Sequence, residues 1–240
     1  MLSSLKQDLK SLANKEKAIL LQRFFKTGKG EYGEGDIFLG IIVPKQRKVA
    51  KKYINLSLND LQVLLNSKIH EERLISLFIL VDKYKKAEKE NNEKQKQEIF
   101  NFYIKNAKNI NNWDLVDLSA PNIVGNYLLK KDDKEKQILY KLAKSDNLWE
   151  KRISILATFM FIKNNQFQDS INLAEILLND KHDLIHKAVG WMLREVGKKD
   201  KIVLENFLKR HYKHMPRTML RYSIEKFPEN ERKKYLKGEI

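Results

Sequence analysis

The residues best suited to chemistry in this chain are Trp113 and Asp117, in the segment Asn-Asn-Trp-Asp-Leu-Val-Asp at 111–117. They are four residues apart, so on a helix the indole and the carboxylate share one face. A carboxylate can stabilise a developing positive charge, and the face of a Trp ring attracts cations through its quadrupole. Taken alone, the pair has a simpler interpretation, in which Asp117 forms an ion pair with a nearby Lys or Arg and Trp113 is a core residue.

The chain that carries this pair is strongly basic. Lys and Arg number 47 against 31 Asp and Glu, which gives a formal net charge of +16 over 240 residues. Such a field favours nucleic acid, acidic proteins or an anionic membrane surface, and the charge alone does not choose among them. A nucleic acid with a positively charged lesion would suit a carboxylate and an indole on a polycationic surface.

Composition excludes several other kinds of site and compartment. The chain has no cysteine, which excludes disulfides and thiolate metal sites and is compatible with a reducing cytosol. The first residues alternate charged and apolar types too early for a secretion signal, and no apolar run approaches the ~20 residues that cross a bilayer. We therefore expect a soluble, cytoplasmic protein with no membrane partner. The abundance of Lys, Asn and Ile hints at an AT-rich bacterial genome.

Apolar residues recur every three or four positions along nearly the whole chain, and alternating stretches are few. This period predicts helices almost throughout. The segment Ser57-Leu-Asn-Asp60 is a capping-box-like start for a helix, with Asp in place of the usual Glu. The predicted helices are 5–25, 44–53, 61–65, 69–88, 93–106, 112–129, 133–143, 148–163, 167–178, 182–196, 200–210, 216–226 and 229–237.

The spacing of these helices indicates a repeat. Starts near residues 69, 112, 148 and 182 are ~35 to 43 residues apart, close to the period of HEAT and armadillo repeats. Each helix pair of such a repeat can bury its apolar face only against its neighbours. We see no linker in the sequence. We therefore predict one domain, residues 1–240, with an all-α fold: an α-solenoid of HEAT-like helix pairs with a basic concave surface.

Two motifs resemble ligand sites without their usual context. Residues 28–33 match the G-x-G-x-x-G phosphate fingerprint, but they follow a predicted helix rather than a strand, so a flexible joint is the better interpretation. Its backbone amides and Lys29 could instead contact a DNA phosphate. His182 and His186 have the spacing of metal ligands on a helix, but the sequence offers no third ligand. We expect no metal, and histidines that face solvent or nucleic acid.

Five segments, in order along nearly the whole chain, share one resemblance. They are Tyr32 to Gly40 leading to Pro44 and Arg47, Asn111 to Asp117 with Ser119 and Pro121, Ser145 to Arg152, Lys187 to Arg194, and Met215 to Tyr222. Together they resemble the DNA alkylation repair family, the AlkD-like HEAT-repeat glycosylases. The resemblance implies excision of N3- and N7-alkylated purines from double-stranded DNA by hydrolysis of the N-glycosidic bond. It implies no cofactor, and we expect a monomer with no obligate protein partner.

The resemblance also implies roles for individual residues. Asp117 would be the catalytic carboxylate, which stabilises the cationic sugar and orients water. Trp113 and Trp191 would flank the deoxyribose of the lesion, and Arg152 would hold Asp117 or an adjacent phosphate. The family is described as working without enclosing the base in a tight pocket, unlike glycosylases that flip it.

Further basic residues are candidates for DNA contact, although surface salt bridges such as Arg194 with Glu195 also explain them. The region 28–36 departs from the family pattern, where glycosylases can carry a DNA-contacting helix and an aromatic residue, and Tyr32 could substitute. A poor grip there would favour a non-catalytic HEAT-like DNA-binding protein, and a protein-interaction solenoid is a third hypothesis. The candidate DNA contacts are Tyr32, Arg47, Lys187, Arg194, Arg217, Thr218 and Arg221.

Overall fold

The computed structural model describes residues 1–240 and has an all-α fold of the helical-repeat type, as predicted. Its extended pairing is an isolated parallel bridge between Ile37 and Ile69. The chain divides into two compact units, Met1–Ser119 and Ala120–Ile240. The expectation of a single domain over residues 1–240 stays a prediction. No helix is both long enough and apolar enough to cross a membrane.

The first unit, which we call unit 1, is organised around one long helix that packs against three others. Its longest helix, α5 (His70–Lys89), is buried along most of its length, and Leu74, Leu77, Phe78 and Val81 form its core stripe. The helices are α1 (Leu2–Ser11), α2 (Lys15–Phe24), α3 (Val43–Lys52), α4 (Leu58–Leu65), α5 (His70–Lys89), α6 (Glu93–Lys105) and α7 (Trp113–Ala120, whose last residue lies beyond the unit).

The prediction of one continuous helix over 5–25 is wrong. The chain turns after α1, and Asn14 begins α2 by accepting a hydrogen bond from the Lys17 amide at 2.9 Å. The Asn14 amide in turn donates to the Leu39 carbonyl at 2.8 Å. An Asn side chain at a helix start satisfies an amide that the helix cannot. The bond from the Asn14 amide to the Leu39 carbonyl joins residues that are distant in the sequence, and the spacing of apolar residues does not reveal such a bond.

The second unit, unit 2, continues the same architecture. The predicted helix over 148–163 is interrupted at Thr158, whose hydroxyl donates to the Ile155 carbonyl at 2.7 Å. Pro121 begins a π-helical turn, Pro121–Gly125, at a position where proline removes a backbone donor. The α-helices are α8 (Asn126–Leu128), α9 (Asp133–Ala143), α10 (Leu148–Ala157), α11 (Phe159–Lys163), α12 (Gln168–Ile176), α13 (Asp183–Lys199), α14 (Lys201–His211), α15 (Arg217–Ser223) and α16 (Glu229–Lys237).

Local signals explain most of the helix starts. The capping box at Ser57 and Asp60 is present, because the Ser57 hydroxyl accepts from the Asp60 amide and the Asp60 carboxylate accepts from the Ser57 amide. Asn147 begins α10 in a related way, accepting from two amides of its first turn. The observed starts of α5, α7, α10 and α13 agree with the predicted 35-to-43-residue spacing to within a residue or two.

Candidate functional site

Trp113 is the first residue of α7 and is half-buried in an aromatic cluster of unit 1. Its ring stacks on Phe25 with centroids 5.2 Å apart and an interplanar angle of 15°. Phe24 stands edge-on to it at 6.0 Å, and Phe25 stacks in turn on Phe38 at 5.0 Å. Offset and edge-to-face contacts of this kind stabilise aromatic pairs beyond simple burial. The indole plane is therefore held in one orientation.

The start of α7 is also fixed by polar contacts. The Asn112 side chain accepts a hydrogen bond from the Trp113 amide at 2.8 Å and lies within 3.3 Å of the Asp36 carboxylate. Asp114, the second residue of α7, lies 2.8 Å from the Nε2 atom of His70, the first residue of α5. This contact ties the helix that carries Trp113 and Asp117 to the most buried helix of the unit.

His70 lies between two carboxylates. Its Nδ1 atom is 3.4 Å from Asp36, which also receives a hydrogen bond from Arg73 at 2.7 Å. Burial lowers the pKa of His70, but the charge of Asp114 and the hydrogen bonds to both carboxylates outweigh that effect, so its pKa lies above the usual value. For the Asp36 carboxylate, burial has the opposite effect and raises the pKa. The contacts of Asp36 with His70 and Arg73 outweigh burial, so the pKa of Asp36 lies below its usual value.

Asp117 lies one helical turn beyond Trp113 on α7 and is half-buried. Tyr103 is fully buried close by, and its hydroxyl is 2.8 Å from the Ser119 hydroxyl. Burial raises the pKa of Tyr103, and the negative charge of Asp117 raises it further, against the opposing effect of the Ser119 hydrogen bond. Tyr103 therefore stays neutral beside the carboxylate. Trp113 and Asp117 lie on the same helix, as their spacing predicted.

Trp191 and Arg152 lie in unit 2. Trp191 is half-buried on α13, where its Nε1 atom donates to Glu195 at 3.2 Å and its ring lies 6.0 Å from that of Phe159. Arg152, on α10, is only 5% exposed, and its Nη1 atom donates to the Leu184 carbonyl at 2.6 Å. A buried guanidinium needs such partners because its desolvation is costly. This bond joins α10 to the first turn of the helix that carries Trp191.

The candidate DNA contacts of unit 2 are mostly engaged with carboxylates or carbonyls of the protein. Lys187 pairs with Asp183 at 2.7 Å. Burial raises the pKa of Asp183, but hydrogen bonds from Lys187 and Thr218 lower it below the usual value. Arg194 contacts both Glu195 and Glu225. Lys187 and Arg194 thus form salt bridges within the protein, as the simpler interpretation of these residues expected. Their role in binding DNA stays a prediction.

Four further positions complete the set. Arg217 donates to the Leu236 carbonyl at 2.8 Å, and Arg221 is exposed on α15. In unit 1, Arg47 is exposed on α3 with its guanidinium 4.2 Å above the Phe78 ring. The Tyr32 hydroxyl is 3.5 Å from the Phe24 carbonyl, at the limit of a hydrogen bond. Arg47, Arg217 and Arg221 are exposed, and Tyr32 is half-buried.

The glycine and histidine motifs have structural roles. Gly28 and Gly30 donate their amides to Glu31 and Glu34, each at 2.8 Å, in a segment of turns. His182 caps α13 by accepting from the Leu184 amide. No group of three or more His, Asp or Glu side chains could hold a metal ion.

Sequence reasoning missed the buried charged cluster at the start of α5. His70, Glu71, Glu72 and Arg73 are four consecutive ionisable residues, all at most 3% exposed. Glu71 accepts hydrogen bonds from the backbone amides of residues 39–41 at 2.8–3.2 Å. Four such residues at a helix start are usually solvent-exposed, so only their partners elsewhere in the chain could have revealed their burial.

Comparisons with known proteins bear on these observations. The family model described as DNA alkylation repair enzyme matches residues 5–227. A solved structure described as a predicted DNA alkylation repair enzyme from Enterococcus faecalis shares 16% identity, with a TM-score of 0.68 over 90% of this chain and 97% of that one. AlkD2 from Streptococcus mutans shares 17% identity, with a TM-score of 0.54 over 90% and 99% of the two chains.

A further structure, of smu.31 from Streptococcus mutans UA159, shares 19% identity with a TM-score of 0.53 over 94% of this chain and 98% of that one. A search of curated proteins finds no significant match. At such low identities the structural likenesses show a common fold. They agree with the helical-repeat architecture of the chain.

Proposed function

Because the chain belongs to the DNA alkylation repair enzyme family, we propose that it is a DNA glycosylase that removes N3- and N7-alkylated purines from double-stranded DNA. The observation that carries the proposal is the half-buried carboxylate of Asp117 one helical turn beyond the oriented indole of Trp113. Both belong to a chain with a formal net charge of +16, which favours a polyanionic substrate.

The reaction is hydrolysis of the bond between C1′ of the sugar and a ring nitrogen of the base. Alkylation makes the base cationic, so the bonding electron pair can leave with the base and neutralise it. The sugar then resembles an oxocarbenium ion, and a water oxygen forms the new bond to C1′. Asp117 stabilises the cationic sugar, orients the water and accepts its proton. The indole face of Trp113 favours the same positive charge.

We assign the remaining residues roles toward the DNA. Trp191 contacts the deoxyribose, and Arg152 stabilises the catalytic carboxylate or a phosphate next to the lesion. Lys187, Arg194 and Arg217 would exchange their present carboxylate or carbonyl partners for phosphates. Each such exchange releases a condensed counterion and makes the affinity salt-dependent. The further residues in this set are Tyr32, Arg47, Thr218 and Arg221.

No cofactor or metal enters this chemistry, because the leaving group is already activated by its charge. We propose that the protein acts as a monomer, since a helical repeat that contacts DNA needs no second subunit. Its place of action would be the bacterial nucleoid, in the cytoplasm. Polar contacts of Lys and Arg with phosphates would position the duplex without reading its sequence.

A paired assay tests the proposal. Purified protein is incubated at low salt with methylated duplex DNA, and released purines are separated by chromatography, while the same protein is titrated onto duplex DNA in a gel-retardation experiment. We expect release of 7-methylguanine or 3-methyladenine together with retardation. If the protein retards DNA but releases no methylated purine, the glycosylase assignment is wrong.

One observation favours a second candidate, a non-catalytic DNA-binding protein of the same family. In the segment that departs from the family pattern, the Gly28 and Gly30 amides donate to Glu31 and Glu34 instead of facing outward as phosphate donors. A carboxylate at such a place disfavours a phosphate. Retardation without release in the paired assay is the result that this candidate predicts, whereas the absence of both would exclude the two together.

A further inference from the structure

Unit 1 contains a cavity of about 390 Å³ between α2, α3 and α5. This volume falls within the roughly 300–1,000 Å³ of binding pockets. Phe24, Phe25 and Phe38 form its aromatic wall. The cavity therefore has the size and the lining to accept a large apolar or aromatic group. Its aliphatic lining residues are Leu20, Leu21, Ile41, Ile42, Val43 and Leu74.

The mouth of the cavity is apolar and exposed. Leu20 and Phe24 of α2 are each 62% exposed. Ile42 and Val43, at the start of α3, are exposed as well, and no residue of α2 is buried. Exposed large apolar side chains grouped around a concavity indicate a place where apolar surface of another molecule is buried.

One residue of the cavity wall, Gln46, has an unused hydrogen-bond acceptor. The side chain is 3% exposed, and its Nε2 atom donates to the Ile41 carbonyl at 2.6 Å. The Oε1 atom is buried and has no partner. A buried acceptor without a partner is destabilising, so an occupant that brings an N–H donor into the cavity is favoured. A Trp side chain combines a large apolar ring with one such donor.

Four ionisable residues line the cavity, and three of them have partners within the protein. Glu71 accepts hydrogen bonds from the backbone amides of residues 39–41. Asp114 and His70 contact each other at 2.8 Å. The fourth, Lys17, is exposed and forms no ion pair. The charge that the cavity offers to an occupant is therefore positive.

The two helices that form the mouth are also strongly basic. Three cations and one carboxylate lie on α2, and five cations and no carboxylate lie on α3. Of these cations only Lys52 forms a salt bridge, with Asp8. A positive field of this kind attracts a partner in which negative charge lies beside the apolar group.

The charge and the apolar lining together distinguish between possible occupants. A DNA duplex presents phosphates to a basic surface but has no large apolar side chain to fill the cavity. A second copy of the chain would bring a net charge of +16 to a basic mouth. The three Trp residues of such a copy are buried or half-buried, so none is available as an anchor. An acidic peptide with an aromatic anchor matches the lining, the acceptor and the charge.

We propose that this cavity binds an acidic peptide segment of another protein through one Trp side chain. The indole packs against the aromatic wall and donates its N–H to Gln46 Oε1. Asp or Glu side chains next to the Trp pair with Lys17 and the other cations of α2 and α3. Leu20 and Val43 cover the indole at the mouth. This interaction does not depend on the glycosylase activity proposed above.

Three synthetic peptides test the chemistry of the occupant. Full-length protein is titrated by calorimetry with an acidic peptide centred on Glu-Asp-Trp-Leu-Asp-Glu, with the same peptide carrying Phe for Trp, and with a third carrying Lys for each Asp and Glu. We expect the Trp peptide to bind with a Kd below about 1 mM. The Phe peptide should bind about two- to tenfold more weakly because it lacks the N–H donor, and the Lys peptide should not bind. No binding of the Trp peptide at about 1 mM, or equal binding of any two peptides, would overturn the proposal.

The Gln46 contact is tested by combining a protein variant with the change of peptide. Gln46→Leu removes the acceptor and should weaken binding of the Trp peptide by about two- to tenfold. The same variant should leave the affinity for the Phe peptide unchanged, because Phe donates no hydrogen bond. If Gln46→Leu weakens both peptides equally or weakens neither, the indole does not bind this oxygen and the proposal is wrong.

Two pairs of surface variants locate the site, and circular dichroism shows that each is folded. Leu20→Glu places a carboxylate at the mouth and should weaken binding of the Trp peptide at least ~10-fold. Ile202→Glu makes the same change at a residue 68% exposed on α14 and should bind as the wild type does. Lys17→Gln should weaken binding about two- to fivefold, and Lys15→Gln, at an exposed lysine of α2 outside the lining, should weaken it less. Wild-type affinity in Leu20→Glu would show that the peptide binds elsewhere.

The same pair of Glu variants tests the other possible occupants. Leu20→Glu and Ile202→Glu are compared for retardation of undamaged duplex DNA, for binding to phosphatidylserine vesicles and for sedimentation. We expect the two variants to behave alike in all three measurements, because only the peptide fills the cavity. If Leu20→Glu loses about tenfold more affinity for the duplex or for the vesicles than Ile202→Glu does, that ligand covers the mouth and the proposal is wrong. A wild-type dimer that Leu20→Glu dissociates would assign the mouth to a second copy of the chain and would overturn the proposal as well.

Discussion

Replacing Asp114 with Asn should weaken unit 1 in a pH-dependent way. The Asp114 carboxylate lies 2.8 Å from His70 Nε2, and its side chain is 19% exposed. Asn keeps the shape and an acceptor oxygen, so the substitution removes the charge while a neutral hydrogen bond can remain. A hydrogen bond to a charged group contributes about 1.5–3 kcal/mol and a neutral one about 0.5–1.5 kcal/mol. The expected loss is therefore about 1 kcal/mol from the pair.

A second contribution does not depend on His70. Asp114 lies in the first turn of α7, where a negative charge stabilises the helix by about 0.3–1 kcal/mol. The total loss of about 1.5 kcal/mol corresponds to roughly 3–6 °C in Tm for a chain of this size. Glu16→Gln is the matched control, because it removes a charge from the first turn of α2 in the same unit at an exposed position.

The sign of the pH effect follows from the pKa of His70, which lies above its ordinary 6.5 in the folded protein. The stability contributed by protonated His70 is fully present below the unfolded value and is lost as the pH rises through the folded value. Without the Asp114 charge this contribution shrinks. The difference in unfolding free energy between the wild type and Asp114→Asn should thus be largest at about pH 6. It should decrease as the pH rises above the pKa that His70 has in the folded protein.

Urea denaturation at a series of pH values from about 6 to about 10 measures this difference. A difference that is constant over the whole series would show that His70 and Asp114 do not interact through charge in the folded protein. A Glu16→Gln control that reproduced the pH dependence would place its origin elsewhere. Either result would refute the account of how α7 is attached to α5.

Three further changes test other parts of the structure. Gly190→Ala would place a Cβ atom 2.6 Å from a carbonyl oxygen of α15, so we expect a loss of about 1–3 kcal/mol in urea denaturation; a loss below ~0.5 kcal/mol would show that the helices separate easily. Glu71→Gln should lower the unfolding free energy by about 1.5–3 kcal/mol, because the buried carboxylate that accepts from the amides of 39–41 loses its charge; an unchanged Tm would contradict this. Arg47→Gln should reduce the slope of log Kd against log salt concentration for duplex DNA by about 0.9 if Arg47 binds a phosphate. The control Lys86→Gln, at an exposed lysine of α5, should reduce this slope less. Equal slopes for the two variants would show that Arg47 is not one of the DNA-contacting residues.

The helical period made much of the fold predictable. The ranges 133–143 and 229–237 were predicted from apolar spacing and match α9 and α16. The breaks at Asn14 and Thr158 were missed, because each depends on a hydrogen bond that competes with the helix rather than on the spacing of apolar residues. Local sequence therefore indicates where a helix can form more reliably than where it is interrupted.

The candidate site was predictable only in part. Trp113 and Asp117 are close in sequence, so their common helix could be inferred from spacing alone. The partners that fix this helix could not be inferred. His70 is 34 residues from Asp36 and 44 residues from Asp114, and no periodic pattern connects positions so far apart. The buried charges at the start of α5 depart from the usual preference of charged residues for the surface. Their burial is possible because they have partners elsewhere in the chain, and the local sequence does not reveal those partners.

Single-turnover kinetics of Asp117→Asn test the central claim most directly. Enzyme in excess over a duplex with one 7-methylguanine is compared for the wild type, Asp117→Asn and the control Asp82→Asn, which changes a partly exposed carboxylate of α5 in the same unit. We predict that Asp117→Asn binds the duplex as tightly as the wild type but releases the base about 10²- to 10⁴-fold more slowly. Release by Asp117→Asn at the rate of the wild type and of Asp82→Asn would show that this carboxylate does not take part in the chemistry.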